Sequence, residues 1–82
     1  MKINLEVTDT FGGEANYSWV NRATHEFDER EAPSRLGVVR LAKIFAGLTG
    51  QDCLVEYTND QVTITPTGRS APCIICFVNI EY

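Results

Sequence analysis

One stretch of this chain, and only one, spaces its apolar residues as a helix does. From Arg35 to about Leu48, residues Leu41, Ile44, Phe45 and Leu48 share a face, with Val38 one turn earlier. Pro33-Ser34 offers a start, because Ser34 is a favoured N-cap, and Gly47 and Gly50 suit the exit. Elsewhere the apolar period is two. A lone amphipathic helix has no second helix to bury its face against, so it must pack on a sheet.

The strands that make this sheet are read from alternation. Ile3, Leu5 and Val7 point one way and Lys2, Asn4, Glu6 and Thr8 the other, which is a half-buried strand. Gly12-Gly13 mark a turn, and a second strand runs from about Ala15 to His25. Its parity puts Tyr17, Trp19, Asn21 and Ala23 on one face and Ser18, Val20, Arg22 and Thr24 on the other. His25 to Pro33 is a charged connection. Beyond the helix, Cys53–Thr58 and Gln61–Thr65 are strands joined at Asn59-Asp60, and residues 66–72 form a loop. Cys73 to Glu81 has apolar residues at both parities, which predicts a central strand covered on both faces, or an interface strand. The expectation is one α+β domain over residues 1–82, in ββαβββ order, with an antiparallel sheet of about five strands and the helix on one face.

At 44% hydrophobic and 22% charged, the chain has enough apolar surface to offset its ordering entropy, so disorder is excluded. The net charge of −4 argues against a nucleic-acid or membrane binder, which needs a basic surface. That charge is uneven. Residues 1–33 hold seven acids and three bases, residues 34–50 three bases and no acid, and residues 51–82 four acids and one base. The helix is a basic element on an acidic body.

No leader is expected before Met1-Lys2-Ile3-Asn4, and three cysteines in apolar company suggest buried, reduced thiols in the cytoplasm. Cys73-Ile74-Ile75-Cys76 has C-x-x-C spacing. A zinc site would also need Cys53 and His25, while positions 73 and 76 of an extended strand face opposite ways. Core cysteines are the expectation, with no metal and no cofactor. Neither a nucleophile elbow nor a phosphate loop is present, so no catalytic residue is assigned. Tyr17 and Trp19 would stack bases or grip a partner on an exposed face. They are read as core beneath the helix, since a fold this small can hardly spare its only Trp. On that reading Trp19→Ala costs about 3–5 kcal/mol.

The segment from Asp9 to Arg22, Asp-Thr-Phe-Gly-Gly-Glu-Ala-Asn-Tyr-Ser-Trp-Val-Asn-Arg, resembles the opening of small uncharacterised proteins encoded in bacteriophages, prophages and other mobile elements. The likeness is strong over those residues and only architectural beyond them. It implies a genomic setting rather than a chemistry. In size, charge and lack of an evident active site the chain is also similar to anti-CRISPR proteins. That similarity implies an inhibitor which occupies a host complex whose nucleic-acid channel is lined with Lys and Arg. The partner-binding residues expected on this basis are Glu26, Asp28, Glu29 and Glu31, with Glu14, and Asp52, Glu56 and Asp60 as a second acidic edge. The alternative is a phage accessory protein that self-associates through its last strand as a homodimer.

Overall fold

The computed structural model describes residues 1–82. Its elements run β1 (Lys2–Phe11), β2 (Glu14–Glu26), α1 (Arg35–Ala46), β3 (Cys53–Thr58), β4 (Gln61–Pro66) and β5 (Ile74–Glu81). The sheet order is β2-β1-β5-β4-β3 and every neighbouring pair is antiparallel. This is the α+β fold expected from the pattern. Asn59, at φ 49°, turns β3 into β4 where the Asn-Asp pair predicts it.

Alternation decides which face is buried. Leu5, Val78 and Val62 lie side by side across β1, β5 and β4, as do Val7, Cys76 and Ile64. Ile3 and Ile80 form a third row, and α1 covers all three with Val38, Val39 and Ala42. The helix has 12 residues, so it is about 18 Å long. It packs chiefly on β1, β4 and β5 and leaves the two edge strands largely uncovered.

Ser34 caps α1 as expected, its hydroxyl accepting from the Gly37 amide at 3.2 Å. Gly37 is needed there, because a Cβ would come within 2.9 Å of Pro33 Cβ. Gly47 ends the helix at φ 72°. Ser34→Ala is expected to cost about 1 kcal/mol, read as a lower urea midpoint at constant m.

Four expectations are corrected. Ile44 is 66% exposed on the outer face of α1, because the inward stripe is centred on Val38 and Ala42 rather than one step later. The helix stops at Ala46, and Leu48 is buried from the turn that follows. β5 is central, but only Cys76, Val78 and Ile80, on the face under α1, are buried; Ile75 and Phe77 on the opposite face are half-buried. Of the cysteines only Cys76 is buried. Cys53 is half-buried on an edge strand and Cys73 is exposed in the loop before β5. Burial pushes the Cys76 thiol up to about 11, so at neutral pH it is a neutral core group.

Candidate functional site

The β1–β2 hairpin is not the simple ladder that alternation predicts. Thr8 pairs with Val20 and Thr10 with Ala15, so Asp9 alone stands opposite Asn16, Tyr17, Ser18 and Trp19. Four residues are looped out where a regular ladder has one. Their backbone groups still need partners, and two side chains of β1 supply them. The Thr8 hydroxyl, fully buried, donates to the Trp19 carbonyl at 2.9 Å and accepts from the Tyr17 amide at 3.0 Å. The Asp9 carboxylate accepts from the Ser18 amide at 2.9 Å, the Ser18 hydroxyl at 2.6 Å and the Asn16 side-chain amide at 2.9 Å.

Those donors, the Ser18 hydroxyl first and the Asn16 amide next, hold the Asp9 carboxyl well below its ordinary range. Its folded-state value is depressed, so its stabilising contribution is complete above the unfolded value of 3.8 and fades as the pH falls below it. Asp9→Asn is expected to loosen this excursion at neutral pH. Hydrogen exchange should accelerate at the Ser18 amide and remain slow in the β1–β5 ladder.

The excursion sets two large side chains toward solvent, Tyr17 at 53% exposed and Trp19 at 42%, and Phe11, at the end of β1 beside the turn, is 80% exposed. Tyr17 has φ 55°, a left-handed backbone that bulky residues adopt at a cost of about 1–3 kcal/mol and only where the surroundings impose it. The expectation that Tyr17 and Trp19 are core is therefore overturned. Both lie on an edge strand that α1 does not cover, and of the row assigned to that face only Ala23 packs on the core. Glu14, paired with Phe11, stands at the same tip.

The opposite end of the sheet is acidic. Lys2 lies between Glu26 and Glu81, and these residues border an open cleft of about 690 Å³ that Asp28 also lines. Ile80 donates to the Asp60 carbonyl at 2.7 Å, which places the β3–β4 turn at this end too. Glu31 folds back on Asp28 through a backbone hydrogen bond of 2.9 Å, keeping the connector compact. Lys2 pairs with Glu81 at 3.7 Å; Glu26, Asp28, Glu29, Glu31 and Asp60 have no ion-pair partner. Glu14 does not join them, because the ten residues of β1 separate the two ends by about 30 Å. Asp52 and Glu56 are strung along the β3 edge, before the strand and on its open face.

His25 sits opposite Ile3 at one side of the sheet, stacked on Phe27 with ring centroids 6.4 Å apart, while Cys53 belongs to the far edge strand. Nowhere do three His, Cys, Asp or Glu side chains converge in a way that could hold a metal ion. No helix is long and apolar enough to cross a membrane. Comparison with protein-family models, curated sequences and solved structures gave no match.

Sequence reasoning missed the excursion but had its signal. Thr8-Asp9 followed by Asn16 and Ser18 supplies the side-chain donors and acceptors that a disrupted ladder needs.

Proposed function

We propose that this chain is a binding protein of a phage or other mobile element, acting without catalysis in the host cytoplasm. It inhibits a host nucleic-acid-handling defence complex of the CRISPR type by occupying it. The observation that carries this reading is the β1–β2 tip. An energetically unfavourable backbone is held in place by Thr8 and Asp9, and the side chains it presents are of the types that anchor protein interfaces. The unpaired carboxylates at the far end support a second element of the same mechanism. A basic nucleic-acid channel attracts them at long range, raising the rate of encounter, and a body 39 Å long then stands in the path of the target strand.

A plaque assay on a host with an active, matched CRISPR system tests the proposal. Expression of the protein should restore plaquing. Glu26→Lys with Asp28→Lys should weaken the rescue, and with purified components it should slow association most at low ionic strength, where steering is strongest. Failure to restore plaquing, together with a pull-down that recovers no surveillance-complex subunit, would overturn it.

A second reading, self-association, is favoured by Leu54, Ile75 and Phe77 on the sheet face that α1 leaves open. Pairing through the edge of β5 is closed, because β1 and β4 already occupy both sides of that strand. A dimer would use the open face instead. Sedimentation at increasing concentration distinguishes the two readings, since a constant monomer removes the second.

A further inference from the structure

We propose that the free edge of β3 takes up an extended, basic segment of a partner protein as a sixth strand, antiparallel to β3. The sheet ends at this strand, which has β4 on one side and no strand on the other. Asn59-Asp60 is a two-residue turn, so Thr58 and Gln61 close the hairpin as a hydrogen-bonded pair. The same alternation commits the backbone groups of Glu56 and Leu54 to β4 and turns those of Cys53, Val55 and Tyr57 outward. No hydrogen bond from a loop, turn or cap reaches those three.

The two edges of the sheet are guarded differently. β2 breaks register opposite Asp9 and carries Glu14, Arg22 and Glu26, features that discourage the addition of a strand. β3 runs in unbroken register from Cys53 to Thr58, with no proline or lysine and with Glu56 as its one charge. Leu54 is 52% exposed and Tyr57 47%, and α1, packed chiefly on β1, β4 and β5, leaves room beside them.

Charge decides the occupant. Residues 51–68 hold Asp52, Glu56 and Asp60 and no base, and none of the three acids has an ion-pair partner. A second copy would crowd these carboxylates together, whereas a cation opposite Glu56 answers them. The two faces of the strand ask for different residues. On the α1 face Cys53, Val55 and Tyr57 offer apolar surface, and the Arg35 guanidinium lies 5.3 Å from the centre of the Tyr57 ring, where it repels a second cation. Glu56 stands on the other face, between Leu54 and Thr58. The segment that fits therefore alternates, with apolar residues toward α1 and Lys or Arg on the opposite parity.

The test titrates ¹⁵N-labelled protein with the capped peptide Thr-Val-Lys-Val-Lys-Val-Thr and, separately, with its acidic counterpart Thr-Val-Glu-Val-Glu-Val-Thr. The Lys peptide is expected to shift the Cys53, Val55 and Tyr57 amides saturably, with a midpoint of about 1 mM, and the Glu peptide to bind about tenfold more weakly. Glu56→Lys, at an exposed position whose backbone pairing is unchanged, should remove that preference. Glu14→Lys, the same change in charge on the opposite edge strand, should leave it unaltered. Three results would each overturn the proposal. One is no saturable shift at these amides by about 10 mM. Another is equal loss of preference from Glu56→Lys and Glu14→Lys. The third is movement of the same amides with protein concentration in the absence of peptide, which would assign the edge to a second copy. Peptide uptake is read with no host complex in the sample, so its outcome is independent of the proposed inhibition.

Discussion

Ile64→Ala is expected to remove about 3–4 kcal/mol of stability and leave much of the chain unfolded at moderate temperature. Ile64 is fully buried on β4, beside Cys76 of β5 and Val55 of β3. It thus lies in the row that ties the edge hairpin to the centre of the sheet. Truncation leaves a cavity that β-branched neighbours at fixed positions on the sheet cannot fill. A domain of this size has on the order of 5 kcal/mol to lose. Urea unfolding followed by circular dichroism should show a midpoint reduced by more than half. An unchanged midpoint would mean that the β4–β5 packing is not what holds the sheet together.

Trp19→Ala should behave in the opposite way. The ring is 42% exposed on an uncovered edge strand, so the stability cost is about 1–2 kcal/mol and the fold survives. The cost falls on binding. If the tip engages the inhibited complex, removal of a central aromatic anchor costs about 2–4 kcal/mol, or roughly thirty- to a thousandfold in Kd. A protein that melts near the wild-type temperature and no longer restores plaquing is the expected result. Full rescue by the folded variant would move the contact surface from the tip to the acidic end.

These two substitutions also separate what the sequence makes legible from what it does not. The strands around Ile3, Leu5 and Val7, the Ser34 cap and the Asn59 turn follow from local chemistry, and each is where its residues predict. Ile44 and Trp19 were misplaced for a different reason. Apolar period reveals that a face exists but not how far its cover extends, and a helix of 12 residues cannot reach across five strands. The excursion at Asn16–Trp19 was hidden more deeply. Parity counting assumes an unbroken ladder, whereas here the Asp9 and Thr8 side chains replace ladder partners and carry the strand through a change of register. Among the acids, Glu26, Asp28 and Asp60 gather at one end because strand direction brings them there, and that direction reveals itself only once the sheet order is known.

The place of β5 has a kinetic consequence. Two hairpins, β1–β2 and β3–β4, are local in the chain, but they share no hydrogen bond with each other; β5 joins them, pairing with β1 on one side and β4 on the other. During synthesis at about 5–20 residues per second, the β1–β2 hairpin waits about 3–10 s for its other neighbour. Through that interval Ile3, Leu5 and Val7 have no strand or settled helix to cover them. Closure then depends on contacts between opposite ends of the chain, which makes folding slow for so small a domain. Nascent chains halted before Cys73 should accordingly be captured by hydrophobic-binding chaperones, and release of the full chain should end that capture in a single step.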